Sequence, residues 1–197
     1  TLSARMTNIG AGALTVDWLA AGTVPLPPHA ATVTSWHGRH NVEFQEETQP
    51  LTRSIWAREN RRGLTSHEDW PAALVGADDG VYGAHLAWSG NHRQAIEPLD
   101  DGRYAWQSGA YLSPGEVILA AGESYTTPEW LVAFGTDRNA MSQAFHAEMR
   151  ARVEWPGGAM APRPVHINSW EGFYFDHDEA ALMALADSAA ALGVERF

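Results

Sequence analysis

The hydrophobic and polar positions of this chain follow two different periods. From residue 1 to about 134, short runs of β-branched, aromatic and other apolar residues sit between clusters of Gly, Pro, Asn and Asp; the runs are 13–16, 32–36, 54–57, 73–75, 82–88, 104–108, 116–119 and 130–134. Short strands at regular spacing, separated by turn residues, predict an antiparallel sandwich. Asp78-Asp79-Gly80 and Asp100-Asp101-Gly102 have the composition of hairpin turns, and Leu112-Ser113-Pro114-Gly115 that of a further turn. Over 139–152 the period becomes helical. Met141, Phe145 and Met149 fall four apart, with Ala144 and Ala151 beside them, a stripe able to pack on a sheet. Trp155-Pro156-Gly157-Gly158 ends that helix, and the Pro/Gly-rich stretch through Pro164 marks a domain boundary.

Beyond the stiff connector Pro162-Arg163-Pro164 the order changes again. Val165-His166-Ile167-Asn168-Ser169-Trp170 predicts a strand, and a polar, aromatic loop follows over 171–175. A helix then runs from Asp178 to Leu192, with Leu182, Leu185, Ala186, Ala189 and Leu192 on one face. Asp176 or Asp178 can cap its first N–H groups, and Gly193 suits the left-handed position past its end. Val194-Glu195-Arg196-Phe197 predicts the next strand. Strand, helix and strand in this order make a parallel unit, which needs further strands and a covering layer. The expected fold is therefore mainly β: a sandwich with a closing helix over 1–155, then a linker and the first unit of a (β/α)₈ barrel over 156–197, truncated at its start. An apolar helix face built to cover missing strands is expected to be exposed, to pack aberrantly or to sit against the sandwich.

Composition narrows the function. The 197 residues are 45% hydrophobic and 10% aromatic, a globular composition. The formal net charge is −11 and every basic residue is Arg, so no basic patch is expected for nucleic acid. No apolar run approaches the roughly 20 residues that span a bilayer, and the N-terminus lacks a signal-peptide pattern. Membrane insertion is not expected. The chain opens on Thr1 rather than Met, which leaves room for upstream sequence. With no cysteine, disulfides, thiolate metal sites and a Cys nucleophile are excluded, a composition that suits either a reducing cytoplasm or no constraint at all.

Nine Trp stand out. Most suit sandwich cores, where large rings bury much area, while some can stack on the apolar C–H faces of sugars. Nine His raise the question of a metal. His37 and His40 are three apart on a predicted strand, and odd spacing sends them to opposite faces. The acids of Asp176-His177-Asp178 are explained by capping, and Ser66-His67-Glu68-Asp69 reads as a loop. The chain has no Gly-x-Ser-x-Gly turn, P-loop or Gly-x-Gly-x-x-Gly. In a (β/α)₈ barrel, functional groups sit where strands end, which singles out Asn168, Trp170 and Glu171. Trp170 can pack within the barrel or line a pocket there.

The run Arg163-Pro164-Val165-His166-Ile167-Asn168-Ser169-Trp170-Glu171-Gly172-Phe173-Tyr174-Phe175-Asp176 closely resembles the strand-one motif of family 36 glycoside hydrolases, the bacterial α-galactosidases. Similarity continues through Leu192-Gly193-Val194-Glu195-Arg196-Phe197. Upstream, Arg61-Arg62-Gly63-Leu64-Thr65-Ser66-His67, Tyr82-Gly83-Ala84-His85-Leu86-Ala87-Trp88-Ser89-Gly90-Asn91-His92-Arg93, Leu112-Ser113-Pro114-Gly115-Glu116 and Glu123-Ser124-Tyr125-Thr126-Thr127-Pro128-Glu129 look like that family's N-terminal β-supersandwich.

The resemblance implies retaining hydrolysis of terminal α-galactosides such as melibiose and raffinose, with no cofactor and no metal, by two carboxylates. In the family both are Asp on later barrel strands, so this chain is expected to be inactive alone. It also implies that Trp170 lines the galactose subsite, that Asn168 and Glu171 belong to the same motif, and that the whole enzyme is a cytoplasmic homo-oligomer. The alternative reading is a non-catalytic carbohydrate-binding or oligomerisation sandwich.

Overall fold

Two acidic residues and a glycine set up the central hairpin. Glu68–Ala77 pairs antiparallel with Gly80–Leu86, Ala77 opposite Gly80, leaving only Asp78 and Asp79 in the loop. The computed structural model describes residues 1–65 and 67–197, so Ser66 of the predicted 66–69 loop lies outside the described residues, while Glu68 and Asp69 begin a strand. The described backbone forms two units, Thr1–Ala151 and Arg152–Phe197.

In the first unit the strands are β1 (Arg5–Thr7), β2 (Leu14–Thr15), β3 (Gly22–Leu26), β4 (Ala30–Arg39), β5 (Val42–Pro50), β6 (Trp56–Asn60), β7 (Glu68–Ala77), β8 (Gly80–Leu86), β9 (His92–Pro98), β10 (Tyr104–Ala110), β11 (Ile118–Leu119), β12 (Ser124–Thr126) and β13 (Trp130–Gly135). They make a five-stranded sheet, β13-β8-β7-β4-β5, a four-stranded sheet, β3-β10-β9-β6, and two ribbons, β1-β12 and β11-β2, with every pair antiparallel. Val33, Val75, Leu86 and Trp130 of the larger sheet share one core with Leu26, Trp56, Ile96 and Trp106 of the smaller. Trp106 and Trp130 meet edge to face, ring centroids 5.7 Å apart, which is the favoured geometry for a buried aromatic pair. A second core of Val16, Ala110, Leu112 and Leu119 lies under the ribbons.

Polar residues are also buried in the smaller sheet. Asn60, His92, Gln94 and Ser108 are all at most 1% exposed. Gln94 Nε2 donates to the carbonyls of Trp70 (3.1 Å) and Ala72 (3.4 Å) on β7, and Asn60 Nδ2 donates to those of Leu64 (2.8 Å), His67 (2.5 Å) and Asp69 (3.0 Å). These bonds offset the cost of taking amides out of water.

The predicted helix forms as α1 (Arg138–Arg152). Met141 is buried, and its sulfur lies so near Gly83 of β8 that a Cβ there would overlap it. The second unit differs from expectation. Residues 165–170 and 194–197 form no strands; they meet in one parallel bridge, His166 with Arg196, supported by Ile167 N–H to Arg196 O (3.0 Å) and Arg196 N–H to Val165 O (3.1 Å). Trp170–Phe173 is a short helix, α2, where strand end and loop were expected. Local bonds explain the change: Asn168 Oδ1 accepts from Trp170 N–H (2.9 Å) and Ser169 O from Phe173 N–H (3.0 Å), which curls the chain before a ladder can extend. Helix α3 (Glu179–Ala191) is capped by Asp178, whose Oδ1 accepts from Ala181 N–H at 2.8 Å. Gly193 at φ +87° closes it, with Val194 N–H bonded to Ala189 O and Gly193 N–H to Ala190 O. Of the apolar face expected to be exposed, only Leu192 is so, at 86%, while Leu182, Leu185 and Ala186 are half-buried and Ala189 is buried.

Candidate functional site

Trp170 is the first residue of α2, and its ring is held rather than loose. Tyr174 meets it edge-on at 5.5 Å and Phe175 at 5.1 Å, nearly perpendicular, while the backbone is anchored through Asn168. Close to half of the Trp170 surface stays open to solvent. Tyr174 N–H bonds Trp170 O at 2.7 Å, and Tyr174 itself turns to φ +48° to end the helix. Glu171 is exposed beside it in the first turn.

The three residues singled out in the sequence are thus brought together, each with a different standing. Trp170 offers an aromatic face, Asn168 has spent its carbonyl on fixing Trp170, and Glu171 offers a carboxylate as acceptor. Asp178 is committed to capping α3.

On the sandwich, a cleft of about 730 Å³ is lined by His37, Glu47, Arg58, Glu59 and Asp69. Burial pushes the Asp69 carboxyl up, and Arg58, 3.4 Å away, opposes this. Arg58 also reaches Glu47 at 3.3 Å, so the group is a self-satisfied ion-pair network joining β6 to its neighbours. His40 sits in the turn after β4 and not on the strand, so the face argument against a shared ligand role with His37 does not apply. Among the described residues no three His, Asp or Glu are arranged to hold a metal. No described helix is long and apolar enough to cross a membrane.

A third hollow was not singled out by sequence: Trp88, Asn91, Tyr111, Glu116 and Tyr125 line a cleft of about 360 Å³. Trp88 lies just beyond β8, not within it as the alternation predicts. Its signal was available, since the stretch Trp88-Ser89-Gly90-Asn91 places a large ring in a turn, where a core role is least expected.

Comparison with known proteins bears on all of these. Residues 1–120 match the model of the glycosyl hydrolase family 36 N-terminal domain, and residues 124–197 match melibiase. An α-galactosidase of Escherichia coli is 41% identical over 201 residues, covering 98% of this chain and 28% of the relative. In solved structures, the galactosidase domain of the α-galactosidase–sucrose kinase AgaSK, a protein of Mediterraneibacter gnavus, superposes with a TM-score of 0.85 at 30% identity, over 98% of this chain and 28% of that one. A variant of the α-galactosidase AgaA from Geobacillus stearothermophilus, solved with raffinose, gives 0.83 at 30% identity, over 97% and 28%. The chain therefore spans little more than a quarter of the length of these relatives.

Proposed function

Because this chain belongs to glycosyl hydrolase family 36, we propose that it is the sandwich and barrel-opening portion of an α-galactosidase acting on terminal α-D-galactosides such as melibiose and raffinose. In this reading 1–155 is the N-terminal supersandwich with its closing helix, and 156–197 is the linker and the first unit of the catalytic barrel. Hydrolysis proceeds with retention: one carboxylate attacks the anomeric carbon, and a second protonates the leaving oxygen and later activates water. Both carboxylates belong to later barrel strands, outside residues 1–197. The 197-residue chain is accordingly inactive alone.

Trp170 carries the proposal. Its ring is half-exposed and braced by two aromatic edges, its backbone N–H is held by Asn168, and it lies in the segment that matches melibiase. Such a ring can stack on the apolar face of galactose, with Asn168 as a positioning residue and Glu171 at the rim accepting sugar hydroxyls. Assembly of the whole enzyme into a homo-oligomer through its sandwiches, and a cytoplasmic setting suited to a cysteine-free chain, complete the reading.

In the intact enzyme, Trp170→Ala is expected to lower kcat/KM on melibiose by roughly 10- to 100-fold with the fold unchanged, the effect of misplacing a bound sugar. Unaltered kinetics would remove Trp170 from the site. The coding sequence past Phe197 is expected to continue into an apolar strand followed by an acidic pair.

A further inference from the structure

We propose that the cleft walled by Trp88, Tyr111 and Tyr125 binds neutral pyranosides. This inference stands on the sandwich alone and does not rest on the α-galactosidase reading.

The cleft is a built site. The Asn91 carbonyl accepts both the Trp88 indole N–H, at 3.1 Å, and the Tyr111 backbone N–H, at 2.9 Å, so one atom holds the Trp88 ring and the main chain that carries Tyr111. Asn91 Oδ1 accepts from Gly63 N–H at 2.8 Å, tying in a third segment of chain. Trp88 is 46% exposed, yet its ring packs against the turn, so close to Gly90 that a Cβ there would come within 2.6 Å of Nε1. The floor is firm as well, since Ala110 and Leu112 belong to the second core and Tyr125 packs against it. An exposed aromatic that is held in place loses little entropy when it takes a ligand.

The chemistry of the lining selects the ligand. Apolar ring faces alternate with Asn91 Nδ2, the Tyr111 and Tyr125 hydroxyls and the second carboxylate oxygen of Glu116, none of which has a hydrogen-bond partner among the described residues; the first Glu116 oxygen accepts from Ser113 N–H at 2.7 Å. Donors and acceptors interleaved around aromatic faces match a ring that carries C–H bonds on its faces and hydroxyls at its edge. Burial and the Glu116 charge push the Tyr125 phenol up, which keeps its O–H as a donor. A cationic ligand meets competition, because the Arg61 guanidinium already stands over the Tyr111 ring at 4.4 Å. That guanidinium is in turn paired with Glu59, so it offers little to an anion. A volume of about 360 Å³ falls at the small end of ligand pockets, suited to one or two sugar rings.

The test is a titration of the 197-residue chain with melibiose, followed by tryptophan fluorescence and by saturation transfer from protein to sugar protons. Millimolar binding is expected. Trp88→Ala should weaken it by roughly tenfold or more, Trp88→Phe should keep most of it, and Glu116→Gln should weaken it severalfold. No response at millimolar sugar, a response that survives Trp88→Ala, one abolished by Trp170→Ala, or tighter binding of choline than of melibiose would each overturn the assignment. The activity of the intact enzyme is a separate measurement, so failure here leaves the hydrolase reading to its own test.

Discussion

At the scale of single residues, Asn60 shows how one amide can hold a loop. Its Nδ2 serves three carbonyls, and its Oδ1 accepts from Arg62 N–H at 2.9 Å, so four backbone groups of the segment following β6 depend on it. Asn60→Ala is expected to destabilise the sandwich by about 2–4 kcal/mol, since the carbonyls lose their donor without regaining water; urea unfolding would measure it, and a loss below ~1 kcal/mol would mean the loop re-pairs with solvent. Trp170 and Glu171 are candidates from sequence because functional groups of a barrel gather where its strands end. Their helical setting could not be read there, because one side-chain bond from Asn168 decides it. A ring in a turn is legible at Trp88, but the cleft around it is not: its walls come from residues 88, 111 and 125, which only the fold brings together.

At the scale of elements, apolar periodicity was a good guide in β7, β8, β10, β13 and α1, while β3, which buries Leu26, and the short β1 and β12 were not picked out. It missed β9, whose buried alternate positions are His92, Gln94 and Ile96, and β5, which is exposed along nearly its whole length. β5 is the outer strand of its sheet, and Glu43, Glu46 and Glu47 along it discourage pairing with another chain. Arg138 at the start of α1 bonds Glu46 through both guanidinium nitrogens, at 3.0 and 2.7 Å, yet an ion pair this exposed contributes little. Seating of α1 depends instead on the bare backbone at Gly83. Gly83→Ala should cost about 1–3 kcal/mol through overlap with Met141 and Phe145. Combining it with Met141→Ala should give less than the sum of the two losses by chemical denaturation, and strict additivity would show that the helix does not rest there.

At the scale of the whole molecule, the buried polar residues make stability depend on pH. Burial pushes the imidazoles of His85 and His92 below their ordinary value, so in the folded chain both resist protonation. The unfolded chain protonates them near the ordinary value of 6.5, taking up more protons than the native state as pH falls. Stability is therefore full above that pH and is lost below it, at up to about 1.4 kcal/mol per pH unit for each histidine until the folded groups titrate. Urea midpoints at pH 7.5 and 5.5 would check this, and a His92→Gln variant should flatten the slope. The same seam has an informational role. Sliding β9 by two residues along its neighbours would preserve which side chains face inward, so hydrophobicity alone leaves the correct pairing and its slipped copies degenerate. Gln94 and Asn60 break that degeneracy, because their amides find the carbonyls of Trp70 and Ala72 and those of Leu64 and His67 in this alignment. A sandwich assembled from generic apolar strands thereby carries its own proofreading step, and the cost of an error is felt where the two sheets first have to agree.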